Sequence, residues 1–224
     1  MNYANLIESL GVSIDSNLLE LALTHTSFSY ENGKIPDNER LEFLGDSVLG
    51  FLVTEHVYQV HPDLDEGELS RLRNATVSAK TLSVAANAVG LGNYLRLGKG
   101  EIATGGATKT NILADAFEAV LGAAFLSGGL DNARKIVEKF IFPLINQAEV
   151  MLETSEPRTV LSDLLKKQGK PEPEFQVETE GPDHDRTFYA KLLIGNELIA
   201  TGVGRSRKAA EAQAAIEALN KLRG

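Results

Sequence analysis

Residues 38–49 run Asn38-Glu39-Arg40-Leu41-Glu42-Phe43-Leu44-Gly45-Asp46-Ser47-Val48-Leu49 (NERLEFLGDSVL). Glu39, Glu42 and Asp46 stand at i, i+3 and i+7, which a helix of about 3.6 residues per turn stacks on one face. Leu41, Leu44, Val48 and Leu52 fall on the opposite face. The spacing therefore predicts a helix that is apolar behind and acidic in front. A second stretch repeats the plan: in Asn111-Ile112-Leu113-Ala114-Asp115-Ala116-Phe117-Glu118, Asp115 and Glu118 share a face backed by Leu113, Phe117, Val120 and Leu121.

One acidic pair on an amphipathic helix is ordinarily a solvated face. Three features set these two apart. Glu39 and Glu42 repel one another with only Arg40 nearby, Asp115 and Glu118 have no basic residue at helical neighbour positions, and both segments are otherwise strongly apolar. Clustered carboxylates destabilise one another unless a cation lies among them. An all-oxygen ligand set suits Mg²⁺ or Mn²⁺, and no HExxH spacing or cysteine points to zinc.

Working outward, apolar residues recur at three- and four-residue spacing from about Leu18 to Ala148, which predicts several helices. The breaks fall at Gly33 to Pro36, His61 to Gly67, Gly90 to Gly92, Gly98 to Gly106 and Ser127 to Gly129. From Phe175 the period becomes two: Phe175, Val177 and Thr179, then Phe188, Ala190, Leu192 and Ile194, then Leu198, Ala200 and Gly202. Helical patterns at Thr159 to Gln168 and Ser206 to Leu222 flank these three strands. The expected architecture is an all-α domain over 1–150, a linker over 151–156, and an α+β domain of order α-β-β-β-α over 157–224.

The 224 residues include no cysteine, which excludes disulfides, thiolate metal sites and a Cys nucleophile and suggests a reducing compartment. The longest uncharged stretch, Thr81 to Leu95, is too short and too interrupted to cross a bilayer, and Glu8 and Asp15 spoil a signal peptide. The expectation is a cytoplasmic protein without a membrane span. The formal net charge of -9 argues at first against a nucleic-acid partner. Divided at residue 150, however, it becomes -8 for the helical part (11 basic, 19 acidic) and -1 for the remainder (11 basic, 12 acidic).

NERLEFLGDSVL resembles the signature motif of bacterial ribonuclease III with hardly a departure. Asp65-Glu66-Gly67, Ser70 to Arg73, Gly105-Gly106 followed by Lys109, and Ile112 to Asp115 with Glu118-Ala119 follow in that family's order, from about Leu18 to Leu144. The C-terminal unit resembles the double-stranded RNA-binding domain that follows in the same family. The resemblance implies a homodimeric, Mg²⁺-dependent endonuclease, with Mn²⁺ as a substitute. Its two active sites would share one valley and each cut one strand of an RNA duplex. Products would carry 5′-phosphate and 3′-hydroxyl ends with a short 3′ overhang, and substrates would include rRNA precursors and other structured RNAs.

Residue by residue, the resemblance makes Glu42, Asp115 and Glu118 the ligands of a catalytic Mg²⁺, with Asp46 positioning the water nucleophile. It gives Glu39 and Glu66 assisting places and puts Phe43 at the dimer interface, where the bare pattern would equally allow a core Phe. Asn111 stands where many relatives have Ser or Glu and carries no assigned chemistry. Lys109 is placed to steady a scissile phosphate or to be a solvated surface lysine. His25, His56, His61 and His184 are too dispersed along the chain for a His-based site.

Gly202-Val203-Gly204-Arg205-Ser206-Arg207-Lys208 leads into an Ala-rich helix with Ser206 as its N-cap, a form suited to phosphate. The resemblance places Arg205, Arg207 and Lys208 on duplex RNA phosphates, His184 in one minor groove, and Thr159 and Ser162 in another. Ser162 stands where the family often has Gln. Two other readings compete: a duplex-RNA-binding protein that does not use its nuclease, and a helical metal-dependent phosphatase. The presence together of Glu42, Asp46, Asp115 and Glu118 disfavours the former, and the C-terminal domain is unexplained by the latter. An acidic valley should also repel RNA until a divalent cation enters it.

Overall fold

The computed structural model of the chain describes residues 3–182 and 185–223. It divides into two compact units, 1–148 and 149–224. The first is helical: α1 (Ala4–Leu10), α2 (Ser16–Ala22), α3 (Thr26–Glu31), α4 (Glu39–Val60), α5 (Glu66–Thr76), α6 (Ala79–Ala88), α7 (Lys99–Ala103) and α8 (Thr110–Phe140). The chain crosses into the second unit in α9 (Ile145–Ser155).

Local sequence starts these helices. Asp15 accepts hydrogen bonds from the backbone N–H of Asn17 and Leu18 and so caps α2. Asp65 and Glu68 close a reciprocal capping box on α5, and the Ser78 hydroxyl caps α6. The break expected at Ser127 to Gly129 is a kink within α8, where Gly128 and Gly129 leave helical geometry and the helix resumes.

The core is built on α8. Leu113, Phe117, Val120 and Leu121 are buried against α4, α6 and α2, with Leu49, Leu52 and Val53 facing them from α4. By length and composition the helical run 110–155 meets the requirement for crossing a membrane. Most of its apolar side chains on α8 are instead buried in this core, with Leu126 exposed.

At the crossing of α4 and α8 the two backbones meet. A Cβ on Gly45 would collide with the carbonyl oxygen of Glu118, and one on Gly122 with that of Leu41. Only glycine permits this approach at both positions.

In the second unit α10 (Pro157–Lys167) precedes β1 (Pro173–Glu180), β2 (Thr187–Ile194), β3 (Glu197–Gly204) and α11 (Arg207–Arg223). The strands form one antiparallel sheet in the order β1-β2-β3. Leu161 and Leu165 of α10, Ala190 and Leu192 of β2, Ala200 of β3 and Ala210, Ala214, Ala215 and Leu219 of α11 make its core. The alanines bring α11 so close to β3 that a Cβ on Gly202 would strike the backbone of Ala210 and Ala214.

Two details differ from the sequence pattern. Leu198, expected to face inward, is 54% exposed, because a register shift pairs Leu192 with Ala200 but Leu193 with Leu198. The extra residue, Ile199, takes the place against the core. Residues 151–156, expected as a linker, continue α9 to Ser155. The interruption comes at Glu156, before Pro157 opens α10 with its fixed φ.

Gly122→Ala or Gly45→Ala should cost upwards of ~2 kcal/mol of stability, because backbone and not a flexible side chain must move. Gly50→Ala on the same helix, with nothing within 4 Å of the added methyl, should be neutral or stabilising. Urea unfolding of the three variants measures the contrast.

Candidate active site

The glycine crossing brings together the acids that lie one turn earlier on each helix. Glu42 is three residues before Gly45, and Glu118 four residues before Gly122, with Asp115 one turn before that. One carboxylate oxygen from each of Glu42, Asp115 and Glu118 lies within 4.8 Å of the others. All three side chains are half-buried. Opposite ligands of an octahedral Mg²⁺, each bound at about 2.1 Å, stand about 4.2 Å apart. The three oxygens therefore fit a shared hard cation after small side-chain rotations.

The electrostatics favour the same occupant. Burial pushes the Glu118 carboxyl up to about 8, and the charges of Asp46, Glu42 and Asp115 add to the shift. Glu42 is raised by burial and then by Asp115, Glu39 and Asp46. Asp115 is raised by burial, with His25 opposing. Asp46, exposed on α4, thus belongs to the cluster, and Glu39 acts on its edge through Glu42.

Glu66 stands apart. It opens α5 and accepts a hydrogen bond from the Ser70 hydroxyl at 3.1 Å. Lys109 is engaged by Glu101 at 2.6 Å and by the Thr104 hydroxyl at 2.9 Å. Phe43 is 77% exposed, which removes the core reading, and it borders a cavity of about 840 Å³ lined by Leu18, Leu21, Leu41, Leu44 and Leu126.

In the second unit, Ser206 caps α11 by accepting from Ala209 N–H at 3.1 Å. Arg205, Arg207 and Lys208 are exposed at that helix start. Arg207 donates to Glu211 at 2.8 Å, and the same carboxylate, 5% exposed, is also held by Arg158. Thr159, Ser162, Arg207 and Lys208 line one cavity of about 1150 Å³ between α10, β1 and α11. The Ser162 hydroxyl donates to Glu172. His184 lies outside the described residues.

Sequence reasoning passed over two residues. Glu211 had a signal, its i, i+4 spacing from Arg207. His25 had none within its own segment: a bridge between Thr24 and Arg96 and the bond from His25 N–H to Arg96 O bring it beside α7 and α8. The other two described histidines do structural work, His56 stacking on Phe142 and His61 closing α4.

Residues 15–145 match the family described as Ribonuclease-III-like, and residues 157–222 match the double-stranded RNA binding motif. The Ribonuclease 3 of Thermobifida fusca is 47% identical over 216 residues, 96% of this chain and 90% of that protein. That of Nocardia farcinica is 46% identical over 224 residues, 99% and 93% of the two chains. A crystal structure of the nuclease domain of ribonuclease III from Campylobacter jejuni gives a TM-score of 0.59 at 41% identity, covering 63% of this chain and 97% of that one.

A carboxyl held above its ordinary value binds its proton more tightly in the folded state, so its contribution to stability is lost as pH rises from 4.5 through about 8. Without divalent cations, Glu118→Gln should therefore gain stability over the wild type as pH rises across that window. Addition of Mg²⁺ should reverse the order by stabilising the wild type alone, as thermal melting at pH 5, 7 and 8.5 would register.

Proposed function

The chain belongs to the ribonuclease III family and is an endoribonuclease that processes double-stranded RNA; we propose that it works as a Mg²⁺-dependent homodimer on rRNA precursors and other structured RNAs. The observation that carries the metal dependence is the convergence of Glu42, Asp115 and Glu118 within 4.8 Å, with the Glu118 carboxyl pushed up to about 8. Such a group keeps its proton near neutral pH unless a cation takes that proton's place among the carboxylates.

Glu42, Asp115 and Glu118 are the residues that would hold that cation. When bound, it lowers the pKa of a coordinated water and neutralises charge developing on the phosphoryl oxygens. Asp46, exposed beside the ligands, accepts a hydrogen bond from the attacking water and aims it at phosphorus. Glu39, at the edge of the cluster, holds hydration water there, and Glu66 assists from the start of α5. The water oxygen bonds to phosphorus as the P–O3′ bond breaks. The phosphate thus stays on the 5′ end and the proton ends on the 3′ oxygen. No 2′-hydroxyl takes part, so no cyclic phosphate forms.

Cutting both strands with a short 3′ overhang needs two centres. Phe43 supports a dimer: a large aromatic side chain 77% exposed next to an apolar cavity suits a two-fold contact, in which a surface meets its own copy. A second structure of the Campylobacter jejuni nuclease domain, also 41% identical to this chain, is described as showing structural flexibility in a region involved in dimer formation of that protein.

In the second unit, Arg205, Arg207 and Lys208 bind duplex phosphates, while Thr159, Ser162 and His184 reach minor-groove hydroxyls. This is recognition by A-form shape, so a DNA duplex binds poorly.

Asp46→Ala and Glu118→Ala should bind duplex RNA yet cut it on the order of 10³-fold more slowly in Mg²⁺, followed by incubation with a long RNA duplex and end analysis. Normal cleavage by both variants would overturn the metal-site assignment. Arg205→Ala with Lys208→Ala should weaken binding and make the plot of log affinity against log salt shallower by about 2, one for each lost phosphate contact. Arg207 is the poorer choice for that test, since its loss also leaves the buried Glu211 with fewer partners.

A further inference from the structure

The face of α8 that carries Asp115 and Glu118 continues one turn toward the helix start through Asn111, four residues before Asp115. There it meets a second cavity, about 480 Å³, lined by His25, Glu101, Lys109, Thr110, Asn111 and Ile112. Its chemistry differs from that of the acidic cluster beside it.

His25 is locked in orientation. Its Nδ1 accepts from Ser27 N–H at 3.2 Å and lies 2.8 Å from Ser27 Oγ. That hydroxyl oxygen accepts from Gly98 N–H at 2.9 Å and so turns its own proton toward the ring. With Nδ1 committed as an acceptor, the neutral imidazole carries its proton on Nε2. Among the described residues, neither this Nε2–H nor the Asn111 amide has a hydrogen-bond partner. The ring lies near two carboxylates, and in its protonated form it lowers the pKa of both Asp115 and Glu101.

Glu101 is already neutralised by Lys109 at 2.6 Å, and Lys109 spends a second proton on Thr104. The ammonium has a third N–H to give. The cavity therefore offers donors from His25, Asn111 and Lys109, and its one carboxylate is satisfied internally. A donor-rich pocket of this kind suits an anionic oxygen group. One helical turn, about 5.4 Å, separates it from the cluster, comparable to a single nucleotide step along an RNA strand.

We propose that this cavity is a subsite for the phosphodiester next to the scissile one on the strand being cut, with His25 Nε2–H and the Asn111 amide donating to its non-bridging oxygens. The proposal rests on the acidic cluster being the cleavage centre. His25 and Asn111 act by fixing the strand's register relative to Asp46 and Glu118, as positioning residues.

The test is a cycle between variants and substrates. Duplex RNAs carry a single neutral methylphosphonate at the phosphate on one or the other side of the scissile bond. In the wild type, one of the two positions should lower kcat/KM about tenfold, the loss of one hydrogen bond to a charged group. In Asn111→Ala and in His25→Ala the same substitution should cost measurably less than in the wild type, and in the double variant no more than about twofold, both contacts then being absent. Asn111→Ala keeps the test independent of folding, because its side chain makes no bond to the other described residues, and an unchanged Mg²⁺-induced rise in melting temperature reports an intact metal centre.

Equal losses in wild type and variants, or no loss at either position, overturn the subsite while leaving the cleavage centre standing. A wild type that leaves the unmodified duplex uncut in Mg²⁺ overturns the cleavage centre, and the subsite with it.

Discussion

The contact on which the rest depends is the backbone-to-backbone meeting of α4 and α8 at Gly45 and Gly122. Helices packed through larger side chains keep their axes about 8–10 Å apart, and the two glycines let these helices meet backbone to backbone instead. Here the carbonyl oxygens of Leu41 and Glu118 occupy the space a methyl group would take. Each helix contributes an apolar stripe below the crossing and acids one turn before it. The same close approach that buries Leu113, Phe117, Leu49 and Leu52 therefore forces Glu42, Asp115 and Glu118 into one another's fields.

That coupling makes the site a local liability within a well-packed domain. Glu118 is pushed furthest because its helix is the central one, covered on several sides, so burial is the leading cause of its shift. Glu39 and Glu42 are partly offset by their place in the first turn of α4, where the helix dipole favours negative charge. Asp115 and Glu118, farther along α8, have no such help. Stability is held in the apolar contacts behind the acids, which is why the cluster can persist at all.

Those parts of the architecture that rest on neighbours in sequence were legible in it. The acid and leucine spacing in residues 38–49 and 111–118 describes α4 and α8 because helical faces repeat within a few residues. The alternation in Phe188, Ala190, Leu192 and Ile194 describes β2 for the same reason. What escaped depends on pairings between distant segments. The bulge that turns Leu198 outward is set by register against β2, and His25 reaches α8 only through the Thr24–Arg96 bridge. The helical continuation of α9 was hidden by Thr and Ser, weak helix formers that a neighbouring helix tolerates until Pro157. Lys109 reads as a free cation in sequence because Glu101, its partner, lies eight residues away across a turn rather than on the same helix face.

Placement of charge, not its sum, distinguishes the two units. The binding unit has a net charge of only -1 over 151–224, yet Arg205, Arg207 and Lys208 stand together at the start of α11. Glu211 shapes that group from beneath. A buried carboxylate is tolerable only when paired, and Arg158 and Arg207 converge on it from different elements. Each guanidinium donates one edge to Glu211 and keeps further N–H groups for a ligand, so Arg207 is held near the helix start instead of sampling its rotamers in solvent. Glu211 thus lowers the unit's net charge while reducing the ordering that the RNA contact proposed for Arg207 would otherwise require.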